Sequence, residues 1–249
     1  MKCMLKALVL AAMTAALFQG CASTTKLSGP PDVMFKEGEE SFKKGNYEDA
    51  IAQWKKVKES YQSPELSARA EINIADAYFL NKDYIEAAAA YEDFRKLHPK
   101  HERAGYALFR QAMSHYNQIH GIDTDQTPVK NALVTLQSYL ALYPGGEHTA
   151  EVNVKIRDCR DKQLQYEIYV GRFYLKTEKL TAAIGRFEAA LKTFADLPRC
   201  DEVLYYLGKA YKEVEQQSKA RETFERLVKE FPASPFAADA AKQIATIGN

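Results

Sequence analysis

From Val33 onward, apolar and small residues recur at helical spacing, and no window holds the alternation of a half-buried strand. A longer period lies on top of this one. Gly45-Asn46-Tyr47-Glu48-Asp49-Ala50-Ile51 aligns with Lys82-Asp83-Tyr84-Ile85-Glu86-Ala87-Ala88: a short turn, an aromatic, then Ala three residues on. The copies run forward through Trp54 and Val57, or Tyr91 and Phe94, to a stop at Tyr61-Gln62 or His98-Pro99. Later copies are Leu180, Ala183, Phe187, Ala190 and then Ala220, Phe224, Leu227, Phe231-Pro232. Twelve residues before each alanine stands a small residue, Gly38, Ala75, Gly171 or Gly208, and Tyr78, Tyr174 and Tyr211 lie three residues beyond it. Each unit therefore predicts two antiparallel helices that cross at small side chains, with bulky ones filling the space to the next unit.

This register resembles the tetratricopeptide repeat. It implies an all-α solenoid of about five helix pairs plus a C-terminal capping helix. The repeats are placed near 33–67, 68–103, 104–147, 148–200 and 201–234, with the cap at 235–247. The third is interrupted: its first helix is expected over about 102–118 with Ala112 at the crossing. Ala132 follows 20 residues later instead of twelve, so the turn carries eight extra residues within 119–127. The second helix is expected from Pro128, with Thr127 as its N-cap. Residues 152–176 hold no proline and only Gly171, which predicts one helix of about seven turns.

Residues 1–20 read as an address. Lys2 and Lys6 are basic, and the apolar or small run Ala7–Phe18 is 12 residues long, shorter than the roughly 20 a spanning helix needs. Phe18-Gln19-Gly20-Cys21 resembles a bacterial lipobox, with Phe18 where leucine is usual. The resemblance implies cleavage before Cys21 and its lipidation. Ala22, in place of Asp, implies sorting to the inner leaflet of the outer membrane, facing the periplasm. Residues 21–32 are expected to be a flexible linker, since Gly29-Pro30-Pro31 disfavours a helix.

The whole chain has 34 Lys+Arg against 33 Asp+Glu, a formal net charge of +1, and loss of Lys2 and Lys6 would bring it near −1. That balance leaves no excess to neutralise phosphates and argues against a nucleic-acid partner. No G-x-S-x-G elbow or phosphate loop is present. His115 and His120 are five apart, off the spacing of a helical metal pair, and His98 and His101 have no cysteine nearby. Neither an enzyme, a cofactor nor a metal site is expected. Cys159 and Cys200 are not expected to pair. Stepping back 37 residues from Cys200 reaches position 163, a helical turn past Cys159. A turn of about 5.4 Å added to an axis separation of about 8–10 Å exceeds the roughly 7 Å Cα reach of a disulfide.

The lipobox, the five repeats, the Asp123-Thr124-Asp125-Gln126-Thr127-Pro128 insertion, Ala132-Leu133 and Tyr143-Pro144 precede a long helix through Arg157-Asp158 to Tyr174. Together they are similar to the BamD (YfiO/ComL) family of outer-membrane assembly lipoproteins. The resemblance covers roughly residues 35–244. It implies a non-catalytic scaffold that joins a BamA-type insertase through its POTRA domains, receives unfolded outer-membrane proteins, and can meet other assembly lipoproteins. A second reading is a periplasmic scaffold of cell-wall synthesis of the Tol-Pal-associated type, which usually carries a coiled coil before the repeats.

In a tetratricopeptide solenoid the first helix of each pair lines the inner face. The positions expected there are Phe35, Glu39, Phe42, Arg69, Ile72, Asp76, Phe79, Tyr106, Phe109, Met113 and Tyr116. Phe35, Phe42, Ile72, Phe79, Tyr106, Phe109, Met113 and Tyr116 would form an aromatic groove with few charges, suited to an extended, aromatic-ended peptide, although inter-repeat core would claim about half of the aromatics. Repeats four and five offer fewer such residues, which points to a folded partner. Arg186 matches an arginine in the family's partner-contacting stretch. It is expected to pair with a partner carboxylate or, alternatively, with a nearby Glu of its own chain.

Overall fold

A computed structural model describes residues 29–60 and 63–247. These residues form eleven helices: α1 (Pro31–Lys43), α2 (Tyr47–Ser60), α3 (Pro64–Leu80), α4 (Tyr84–Leu97), α5 (Ala104–Asn117), α6 (Thr127–Leu142), α7 (Thr149–Lys176), α8 (Leu180–Thr193), α9 (Cys200–Glu213), α10 (Gln217–Glu230) and α11 (Ala237–Ile247). Each packs on its neighbours in the chain, and α1 also meets α3 as α7 meets α9. The fold is thus an all-α solenoid of five helix pairs closed by α11, with the first helices of the pairs adjoining one another.

Four of the turns inside the pairs share one geometry. Gly45, Lys82, Glu178 and Glu215 all adopt positive φ, between 58° and 79°. The next amide reaches back to a carbonyl in the last helical turn: Asn46 to Ser41, Asp83 to Tyr78, Lys179 to Tyr174 and Gln216 to Tyr211, each at 2.9 Å. These bonds satisfy carbonyls that the helix end would otherwise leave open. Glycine stands in only the first of these turns.

The crossings follow from the small residues. Gly38 faces the Trp54 indole, Gly171 the Phe187 ring and Gly208 the Phe224 ring, and a Cβ at any of the three would approach its ring closer than 3.0 Å. Trp54 then donates from Nε1 to the Phe35 carbonyl at 3.2 Å. Sixteen residues separate glycine from ring in each case. In the second pair Ala75 and Tyr91 hold the same positions.

The core is segmental. One cluster joins α1, α2 and α3 around Trp54; the next joins α3, α4 and α5 around Tyr91 and Phe94. A third joins α5, α6 and α7 around Leu136, and the last runs from α7 to α11 around Phe187 and Phe224. Helix α7 belongs to two of them: Val152 and Cys159 pack in the third, Leu164 and Ile168 in the fourth. Its 28 residues, about 42 Å at 1.5 Å per residue, weld the two halves of the solenoid.

Three local expectations change. The linker expected over 21–32 ends earlier, since α1 begins at Pro31 after an extended Pro30. Proline fits the first helical position, where its missing N–H has no partner to lose. The first helix of the third pair is Ala104–Asn117, shorter at both ends than 102–118. Thr127 is not the N-cap of α6 but its first residue, following Gln126. The capping acceptor is the Asp125 carboxylate, which takes the Thr127 amide at 2.9 Å and its hydroxyl at 2.8 Å.

Cys159 and Cys200 are free, buried thiols in different clusters. Burial pushes the Cys159 thiol up to about 12 and raises that of Cys200, whose Sγ donates to the Phe194 carbonyl at 3.0 Å. Both should therefore resist alkylation in the folded protein, since the thiolate is the reactive form. Denatured without reductant, the mature protein should yield both as titratable thiols; a deficit of two would show a bridge.

Candidate functional site

Five of the eight groove positions keep surface. Phe42, Phe79, Tyr106, Met113 and Tyr116 are half-buried. Phe35, Ile72 and Phe109 are not groove residues: they are 3%, 1% and 6% exposed and belong to the core. Phe35 sits beside Trp54, and Phe109 is stacked under His148 with ring centroids 3.9 Å apart. Position within a repeat fixes the direction of a side chain. Phe35, Ile72 and Phe109 all stand three residues before the small residue of their crossing, whereas Phe42, Phe79 and Tyr116 stand four residues after it and keep surface.

The expectation of few charges is also corrected. Along the inner face, a cation from one pair lies over an aromatic ring of the pair before it. Arg69 is 4.6 Å from the Phe35 ring centroid, Arg110 is 3.5 Å from that of Phe79, and Lys155 is 4.1 Å from that of Tyr116. The order continues in reverse at Arg172, 4.8 Å from the Tyr206 centroid. These contacts bring α1 to α3, α3 to α5, α5 to α7 and α7 to α9.

Asp76 organises the middle of this face. Its Oδ1 accepts the Tyr91 hydroxyl at 2.5 Å and the Tyr106 hydroxyl at 2.8 Å, and its Oδ2 accepts Arg103 at 2.9 Å. Arg110 in turn donates from Nε to the Tyr91 hydroxyl at 3.3 Å. Burial, and then the Asp76 charge, push the Tyr106 phenol up to about 12 and Tyr91 higher still, so both remain donors at neutral pH. Tyr116 makes the corresponding link to α7, donating to Asp158 at 2.6 Å.

The insertion between α5 and α6 contributes to two clefts beside α7. The larger, about 1050 Å³, lies between α7 and α9 and is lined by Ile122, Tyr169, Arg172, Phe173, Tyr206 and Lys209, among others. Tyr169 and Phe173 are 46% and 54% exposed there. The expectation of few inner-face candidates in the later repeats thus missed this pair. Its signal was present as two aromatics four apart on a helix otherwise rich in charge. The second cleft, about 870 Å³, is lined by Thr124, Asp125, Gln126, Tyr166, Glu167 and Arg186, among others. Arg186 donates from Nη1 to Glu167 at 2.8 Å, and this bond holds its guanidinium above the ordinary value. Arg186 thus makes the pairing with a glutamate of its own chain. Cys21 lies outside the described residues. Among the described residues, no group of three His, Cys, Asp or Glu is placed to hold a metal ion.

Comparison with known proteins gives this surface its context. Residues 28–223 match the family model described as YfiO, outer membrane lipoprotein. A Caulobacter vibrioides protein named outer membrane protein assembly factor BamD is 27% identical over 238 residues, 93% of this chain and 78% of its own. Its namesake from Vibrio cholerae is 24% identical over 210 residues, 80% of this chain and 87% of its own. Among solved structures, the TPR2AB domain of yeast Sti1 in a pHSP90 complex is 13% identical, covering 88% of this chain and 98% of its own, with a TM-score of 0.40. With the family model matched from the residues just before α1 into α10, this chain belongs to the YfiO family of outer membrane lipoproteins.

Proposed function

We propose that this protein is a non-catalytic, lipid-anchored scaffold of β-barrel assembly, held at the periplasmic side of the outer membrane. Its early repeats receive unfolded outer-membrane proteins along the inner face. Its later repeats, through the cleft that holds Arg186, meet the POTRA domains of a BamA-type insertase. The observation that carries the reading is the family match, together with relatives named as outer membrane protein assembly factors across 80–93% of this chain. The inner face supports it with half-buried aromatics and unspent donors, as a surface for extended chain requires. No described helix is long and apolar enough to cross a membrane, which leaves Cys21 to supply the attachment in this reading.

Two experiments test it. The mature protein, tagged at its C-terminus, should carry a β-barrel insertase with it from detergent-solubilised outer membrane; recovery without one would sink the scaffold reading. An alkyne fatty acid fed to cells should label the wild type and not Cys21→Ala, which should fractionate with the soluble periplasm. Several acyl chains hold far more firmly than the marginal binding of one. An unlabelled wild type would remove the anchor.

A further inference from the structure

We propose that the inner face of the early repeats selects extended segments bearing carboxylate side chains, spaced at about every third residue. This rests on the reading that the face receives unfolded chains and names the chemistry it would prefer. The rings themselves are poor docking surfaces. Arg110 already covers Phe79, Lys155 covers Tyr116 and Arg69 covers Phe35, so an incoming side chain meets cations before it meets ring faces.

Those cations have donors to spare. Among the described residues, neither Arg110 nor Lys155 forms a salt bridge, and the one bond Arg110 donates from its side chain goes to the Tyr91 hydroxyl. Arg69 has only Glu39, at 3.8 Å, with both side chains well exposed. Such a pair holds little energy and yields readily to a competing carboxylate. The acids of this face are themselves engaged: Asp76 accepts from Tyr91, Tyr106 and Arg103, and Asp158 accepts from Tyr116 with Lys162 at 3.7 Å.

Spacing argues for side chains and not for a single chain end. The three cations sit on α3, α5 and α7, one to each successive pair. One terminal carboxylate can reach only one of them. A chain in polyproline II conformation advances about 3.1 Å per residue with three residues per turn, so every third side chain returns to the same face roughly 9 Å on. That repeat turns successive carboxylates toward the one face that carries the three cations.

The test uses the full mature protein and fluorescent peptides with amidated C-termini. One peptide carries Glu at every third position, one carries Gln there, and one has the Glu peptide's composition scrambled. The Glu peptide should bind about tenfold more tightly than the Gln peptide at low salt, the combined effect of a few exposed charge pairs. The gap should close as salt rises toward molar strength. In Arg69→Gln/Arg110→Gln/Lys155→Gln the two should bind alike. If that triple variant loses helicity, Arg69→Gln/Lys155→Gln, at the two positions outside the Asp76 network, should still narrow the gap. Equal binding of Glu and Gln peptides to the wild type would overturn the inference and leave the groove as a receiving surface. A scrambled peptide as tight as the ordered one would overturn the spacing. A Gln peptide with a free C-terminus as tight as the Glu peptide would assign the preference to the chain end. Failure of every peptide to bind, in a protein that still binds POTRA domains, would remove the groove reading itself.

Discussion

Gly171→Val should lower unfolding stability by about 2–3 kcal/mol, the cost of forcing extra atoms into a filled crossing. The site has no slack. A Cβ at position 171 meets the Phe187 ring closer than 3.0 Å, and Phe187 is fully buried with Tyr206 stacked beside it. Intrinsic helix preference runs the other way, since valine is better in a helix than glycine by a few tenths of a kcal/mol. A measured loss is therefore a packing cost. Phe187→Leu should cost stability by itself, yet in the double variant it should return part of what Gly171→Val removes. Gly185 is the control. It lies in α8, exposed, with nothing within 4 Å of an added Cβ. Gly185→Ala should stabilise by about 0.5–1 kcal/mol. Urea midpoints for the four variants decide the matter. If Gly171→Val matches the wild type, the crossing is looser than its geometry requires.

That crossing was readable in the sequence because one physical demand repeats four times. Gly38, Ala75, Gly171 and Gly208 recur twelve residues before an alanine, and helices can cross closely only at such residues. The ring opposite each was also visible, as Trp54, Tyr91, Phe187 and Phe224, although the pairing of small residue with ring needed coordinates. The burial of inner-face positions repeats as well, although coordinates were needed to see it. Phe35, Ile72 and Phe109 share one repeat position, three residues before the crossing, and all three are buried, Phe109 under His148 from the turn before α7. Phe79, four residues after its crossing, stays half-buried and receives Arg110. A period in one helix does not tell what the next helix sets over it. The cation ladder was missed for the same reason: Arg110 and Lys155 are ordinary charged positions until the third dimension lays them on rings. Ile122 is a further case, since only the folded insertion carries it to the cleft beside Tyr169 and Phe173.

Arg186 gives the sharpest test of the division between receiving face and partner cleft. Arg186→Glu should weaken binding of isolated POTRA domains by about 2–5 kcal/mol, the usual cost of removing one member of an interfacial charge pair. It should leave capture of extended peptides intact. The single variant carries a confounding effect, because it sets a new carboxylate against Glu167, the present partner at 2.8 Å. Reversing both removes the confusion. Arg186→Glu/Glu167→Arg restores an ion pair across α7 and α8 and should recover the unfolding midpoint, while POTRA binding stays lost because the arginine now projects from the other helix. The complementary variant is Phe79→Ser/Tyr116→Ser, at two half-buried inner-face positions. It should weaken peptide binding by roughly 1 kcal/mol for each truncated ring, because Arg110 and Lys155 lose the rings that hold them at the inner face, and spare the POTRA domains. Titration of every variant against a fluorescent peptide and, separately, against POTRA domains separates the two activities. Recovery of POTRA binding in the double reversal would make Arg186 a structural partner of Glu167 and nothing more. Loss of peptide binding in Arg186→Glu with POTRA binding retained would invert the division.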